Sequence, residues 1–388
     1  MRFTALLALP ALLRHVLAYT ALSEETIKHF PHPSDADFNI HDGKLLAPIL
    51  IPRVPGSEGS KQVLQHFVDF FTNNLPGWTL TYQNSTSTTP TSKGKQIPFV
   101  NLIATRDPPW ITKEAGGDGN VGRLALVAHY DSKLTPEGFI GATDSAAPCA
   151  MLLHVAQALD NALTKKWEGM DATEAELDGS KGLQILLLDG EEAFATWNHD
   201  DSLYGARSLA EDWEQTIFGA TSTYRNPLDA MELFVLLDLL GAKNPQVPSY
   251  FKTTHWAYQK MAALETRLRG RLRLATSTSG DSVSSPFLPE AEKKDTDRWL
   301  GGYIEDDHVP FMAKGVEILH VITSPFPQVW HTIKDDGEHL DIPTVKDWAT
   351  LTTAFTAEWM ELEGFLELEP ESDDQTKGKR SGSVRDEL

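Results

Sequence analysis

Carboxylates and histidines carry the chemistry that this sequence offers. Asp144 sits in Gly141-Ala142-Thr143-Asp144-Ser145. Glu191 and Glu192 adjoin in Asp189-Gly190-Glu191-Glu192-Ala193-Phe194, and His331 closes Ser324-Pro325-Phe326-Pro327-Gln328-Val329-Trp330-His331. An Asp, a Glu and a His make a zinc set that leaves a fourth position open for substrate. Two adjacent glutamates can divide the labour, one binding metal while its neighbour faces substrate as a proton carrier. In isolation such a pair reads first as a solvated acidic turn, so the surrounding sequence has to decide. The chain has no Gly-x-Ser-x-Gly elbow, no His-Glu-x-x-His helix and no P-loop, which argues against serine hydrolases, thermolysin-type proteases and P-loop NTPases.

These residues need elements to hold them. Val63, Leu64, Phe67, Val68, Phe70 and Phe71 give residues 60–74 one apolar helical face. Residues 99–104 and 124–128 read as strands. The runs 183–188 and 233–237 are continuously apolar, as in strands buried on both faces. Residues 316–322 make a further strand. Helices are expected over 146–159, with Ser145 or Asp144 as cap, over 254–274 and over 343–362. Strands alternating with helices indicate an α/β, three-layer sandwich, a mixed, mostly parallel twisted sheet flanked by helices. In such sheets ligands bind beyond the carboxyl ends of the strands. His129 and Asp131, Glu191 and Glu192, Asp238 and His331 each follow one of the expected strands.

The whole chain supports a folded enzyme. It has 388 residues, 41% of them hydrophobic, and ten tryptophans, enough for a large core and far from a disordered composition. Its net charge of -21 repels phosphate backbones and argues against a nucleic-acid partner. Arg2, the apolar run 3–13 and Val16-Leu17-Ala18 read as a signal peptide cleaved after Ala18, although Arg14 and His15 interrupt the pattern. The run is too short for a stable membrane span, and an anchor is the lesser alternative. A single catalytic domain is expected over 19–366. A charged, disordered tail is expected over 367–388, ending Arg385-Asp386-Glu387-Leu388, one residue from the Lys-Asp-Glu-Leu retrieval address. Together the two ends predict the lumen of the endoplasmic reticulum, with secretion as the outcome of incomplete retrieval. Asn84-Ser85-Thr86 is a glycosylation acceptor in a Ser/Thr-rich turn. With one cysteine, Cys149, no intrachain disulfide can form. A monomer is the default expectation.

The sequence around the acidic pair reverses its reading as a solvated turn. His129-Tyr130-Asp131-Ser132-Lys133, 141–150, 188–194, Asp201-Ser202-Leu203-Tyr204-Gly205, 236–242, Asp306-Asp307-His308-Val309-Pro310-Phe311 and 324–332 succeed one another in an order that resembles the glutaminyl-peptide cyclotransferases, relatives of the M28-type zinc aminopeptidases. The resemblance spans roughly residues 45–362. It implies that Asp144, Glu192 and His331 hold one catalytic Zn2+ per chain. It further implies Glu191 as general acid/base, Asp306 and Asp238 as acids that hydrogen-bond in the site, and Trp197 and Trp330, with Phe326 beside them, as aromatic walls. The implied reaction closes an N-terminal glutamine of peptides and proteins, more weakly glutamate, to pyroglutamate, with ammonia released from glutamine.

Some positions keep two readings. Trp197 and Trp330 could be core residues, the usual fate of tryptophan. His129 could ligate metal or hydrogen-bond a ligand, and in the cyclases it resembles the latter. Asp307 and His308 are read as stabilising their loop, and His320 as a satisfied core histidine. The rival function is a zinc aminopeptidase, in which His129, Asp144 and Asp238 match the holders of a second metal. A non-catalytic binding protein would have lost Glu191 or a ligand, and none is lost. Two departures from the family stand out. Ala128 replaces a cysteine that animal cyclases pair with the one matching Cys149. Glu305 replaces a neutral residue and adds negative charge near the site.

Overall fold

The computed structural model describes residues 19–111, 117–170, 180–277 and 285–370. The expected signal peptide, and the tail from residue 371 on, lie outside these residues. Six strands form one sheet: β1 (Thr79–Ser87), β2 (Ile97–Arg106), β3 (Val121–His129), β4 (Ser180–Leu188), β5 (Met231–Asp238) and β6 (Ile318–Ile322). Their order across the sheet is β1-β2-β4-β3-β5-β6. β4, β3, β5 and β6 run parallel, while β2 lies antiparallel to β4 and β1 antiparallel to β2. The architecture is therefore the expected mixed, mostly parallel sandwich.

Alternation along the strands builds both layers. Leu124, Leu126 and Ala128 of β3, with Leu183, Ile185 and Leu187 of β4, face the larger core. Ala125, Val127, Leu186 and Leu188 face the smaller one on the other side. A strand buried on both faces reads as a near-continuous apolar run; all nine residues of β3 are buried, with Arg123 near its start paired to Asp107 and His129 at its end. The larger core is closed by helices α1 (Glu24–Lys28), α2 (Asp35–Phe38), α3 (Glu58–Asn74), α4 (Ala147–Gly169), α6 (His255–Gly270) and α8 (Ile342–Trp359). Helices α5 (Tyr204–Gln215) and α7 (His308–Met312) cover the other face.

Three expectations change. α4 has no side-chain cap; it begins with Pro148 in its first turn, and Ser145 and Asp144 belong instead to a preceding wide turn, Ala142–Ala146. Asn84 is exposed on the edge strand β1, opposite Val100, rather than in a turn. Thr79, Thr81, Tyr82 and Thr86 of β1 are residues that suit a pleated strand better than a loop. The packed body also continues past residue 366: the Glu369 amide donates to His29 O at 2.9 Å and Glu369 pairs with Arg273. Among the described residues no helix is long and apolar enough to cross a membrane.

Candidate active site

β4 lies on one side of β3 and β5 on the other, so the carboxyl end of β3 is a topological switch point where a ligand crevice opens. Four segments converge there. β3 ends at His129 and runs into Asp131. β4 leads into the turn Asp189-Gly190-Glu191-Glu192. β5 ends at Asp238, and the loop after β6 carries Phe326, Trp330 and His331. Gly190 has φ +79°, and a Cβ there would lie 2.3 Å from the Phe99 ring, so only glycine lets this turn close over β2. Asp131 anchors the backbone of both glutamates. One of its carboxylate oxygens accepts the Glu191 amide at 3.0 Å and the other the Glu192 amide at 3.2 Å.

Asp144, Glu192 and His331 come together: His331 Nε2 lies 3.4 Å from Asp144 Oδ2 and 3.6 Å from Glu192 Oε1. These two oxygens are buried and hydrogen-bonded to nothing. Each carboxylate engages a neighbour through its other oxygen. Asp144 Oδ1 lies 3.1 Å from His129 Nε2, and Glu192 Oε2 accepts Lys133 Nζ at 3.1 Å. Burial works against a charge on His331, but Asp144 and Glu192 outweigh it and raise the imidazole to about 9. The triplet thus calls for a positive charge. Two orphaned carboxylate oxygens facing an imidazole nitrogen, all within 4.8 Å of one another, fit a tetrahedral zinc site with an open position.

Glu191 stands beside this triplet and is 6% exposed. Burial pushes its carboxyl well above the usual range; His129 opposes this, and Glu192, Asp306 and Asp307 add to it. Asp238 Oδ1 accepts the Leu239 amide at 2.7 Å and the Ser145 hydroxyl. A cavity of about 440 Å³ joins them, lined by Asp144, Glu191, Glu192, Asp238 and His331 and walled by Trp197, Phe326 and Trp330. Trp330 stacks on His331 with ring centroids 3.8 Å apart and meets Phe326 edge-on at 4.8 Å. At 38% exposed, Trp330 is no core residue.

Asp306 does not line the cavity. It is buried behind it, one oxygen 2.8 Å from His320 Nε2 and the other accepting the Asp307 amide at 2.6 Å. His320, expected as a satisfied core histidine, is the partner that holds Asp306. His129 bonds to Asp144, lies 3.3 Å from Asp131 and is 3.5 Å from Asp238. Sequence reasoning missed the anchoring role of Asp131 and the lining residues Tyr303 and Ile304. Glu305 accepts the Trp197 indole N–H at 3.2 Å.

Buried residues suited to hold a metal, beside a second glutamate at the carboxyl end of a mostly parallel sheet, form the arrangement of an acyl-transfer or hydrolytic enzyme on an α/β fold shared with zinc exopeptidases. The model of peptidase family M28 matches residues 111–356. A glutaminyl-peptide cyclotransferase-like protein of Bos taurus is 39% identical over 320 residues, 82% of this chain and 74% of that one. The glutaminyl-peptide cyclotransferase of Gloydius blomhoffii is 38% identical over 324 residues, covering 82% and 80%. The crystal structure of Macrostomum lignano glutaminyl cyclase superposes with a TM-score of 0.70 at 29% identity, covering 88% of this chain and 93% of that one. The chain belongs to the glutaminyl-peptide cyclotransferases of peptidase family M28, enzymes of the acyltransferase class.

Proposed function

We propose that this enzyme cyclises N-terminal glutamine, and more weakly glutamate, with one zinc ion held by Asp144, Glu192 and His331. The observation that carries the reading is the divided glutamate pair. Glu192 Oε1 is orphaned toward His331, while Glu191 lines the cavity with a carboxyl that burial keeps ready to hold a proton.

In the reaction the α-amine attacks its own γ-carboxamide carbon. A C–N bond closes the five-membered lactam, the bond to the amide nitrogen breaks, and ammonia leaves. Zinc bound at the triplet would polarise the γ-carbonyl and stabilise the charge that gathers on its oxygen. Glu191 takes one proton from the attacking amine and hands it to the leaving nitrogen, so protons balance without a second donor. A carboxyl that does both needs a raised pKa, which burial and the charges of Glu192 and Asp306 supply. The nucleophile is already tethered, so the remaining task is to hold a folded conformer. The walls Trp197, Phe326 and Trp330 suit that task.

A zinc aminopeptidase is the second reading, because His129, Asp144 and Asp238 also form a compact group. Against it, Asp238 Oδ1 is engaged by Ser145 and Leu239, and His129 Nε2 by Asp144. The deciding assay uses purified protein and two peptides, one beginning with glutamine and one with leucine, read by mass spectrometry. Loss of ammonia from the first and no cleavage of the second is expected. Release of free leucine would assign the aminopeptidase. We place the enzyme in the lumen of the endoplasmic reticulum, on the strength of the signal-like start and the Arg-Asp-Glu-Leu end.

A further inference from the structure

We propose that Asp335 is a positioning residue that sets the separation of Asp144 from His331, and through it the affinity for metal. The inference rests on the reading of Asp144, Glu192 and His331 as ligands. Asp335 itself is no ligand: it is 1% exposed and belongs to none of the compact donor groups among the described residues. It lies four residues after His331, and its amide donates to Thr332 O at 3.0 Å, which closes the turn behind the histidine. From there it makes three hydrogen bonds to the segment that carries Asp144. The Ala142 amide donates to Asp335 O at 2.9 Å, the Thr143 amide to Oδ1 at 2.8 Å, and the Thr143 hydroxyl to Oδ2 at 3.0 Å. Two loops 192 residues apart in the chain are thereby joined one residue away from one ligand and four from another.

The same segment is gripped from its other side. Arg53, fully buried, donates to Gly141 O at 2.9 Å and to Ile140 O, and reaches Asp144 O at 3.5 Å. Carbonyls therefore turn to the guanidinium and amides to Asp335, that of Ala142 to its backbone carbonyl and that of Thr143 to its carboxylate. Gly141, at φ +63°, makes the reversal that allows both; a Cβ there would meet Asp144 O at 2.1 Å. Arg53 fixes where the Asp144 segment sits against the body, and Asp335 links that segment to the loop of His331. A buried carboxylate is costly unless its hydrogen bonds are made, and here both carboxylate oxygens accept from the ligand segment.

The test measures zinc dissociation constants by competition with a chromophoric chelator, beside the melting temperature of each metal-stripped protein. Asp335→Ala is expected to weaken zinc binding roughly tenfold, the low end of what distant partners of metal ligands contribute. Its activity should return when free zinc is raised, which a general loosening of the fold would not allow. Asp335→Asn keeps the shape and an acceptor for the Thr143 amide, and should bind within about threefold of wild type. If Asp335→Ala does not fold, Thr143→Ala removes one of the bonds and should weaken zinc by about threefold. Unchanged zinc affinity in the variant that folds overturns the proposal. Failure of the wild type to bind zinc would instead overturn the ligand assignment on which it rests.

Discussion

Glu191 and Glu192 are neighbours with opposite surroundings. Glu192 is held by Lys133 and points a free oxygen at His331; Glu191 faces the cavity, where burial favours its protonated form. Replacing Glu191 by Gln should leave zinc content and melting temperature unchanged while kcat falls by about 10²–10⁴, the usual contribution of a positioned acid/base. Near-normal turnover would remove Glu191 from the mechanism. Asp144, Glu192, His331, Glu191 and the aromatic residues could be picked out in the sequence through short motifs that resemble the family, and the structure gathers them around one cavity. Asp131, Arg53 and Asp335 could not be picked out. They act across 60, 88 and 192 residues of chain, and local sequence carries no mark of a partner that far away.

The parallel strands were readable for a related reason: a strand buried on both faces is apolar throughout, and β3, β4 and β5 are largely so. β1 was not, because an edge strand with a burial pattern broken by exposed Thr and Asn shares its composition with turns. Helix α4 shows what its central place between the sheet and α8 entails. It buries His154, only 9% exposed, against Phe38. Burial, with Lys346 adding to it, lowers the His154 imidazole from 6.5 to about 4. Between those values the unfolded chain holds a proton there and the folded chain does not, so acid favours unfolding. The contribution is complete above about pH 6.5 and is lost as pH falls toward 4, up to about 3 kcal/mol. Melting curves of metal-free protein should show it: His154→Leu should lose less stability than wild type between about pH 7 and about pH 4.5. Parallel pH profiles would show that His154 is not the titrating group.

At its far end the molecule closes on one buried carboxylate. Glu358 of α8, 2% exposed, accepts the Leu22 amide at 2.9 Å, the Tyr19 hydroxyl and Arg267 Nη1 at 2.9 Å. One side chain so ties the first described residues and α6 to the last helix. Arg267→Ala would leave that carboxylate without its cation. Because Arg267 is itself a quarter exposed, the expected loss is about 2 kcal/mol rather than the larger value for a fully buried pair. A urea midpoint shift at constant slope would measure it, and an unchanged midpoint would show that solvent already screens the pair.

Cys149, the single cysteine, turns the protein into its own stopwatch. Its thiol is wholly buried on α4, donates to His129 O at 3.2 Å and is pushed up to about 12 by burial. An alkylating reagent therefore reacts with this thiol only while the core beside His129 and Asp144 is open. The half-time of labelling reports the free energy of that opening with no engineered probe and no competing thiol. If opening releases the ion, saturating zinc should lengthen the half-time by the factor 1 + [Zn]/Kd, and a half-time indifferent to zinc would mean that the helix opens without disturbing its ligands.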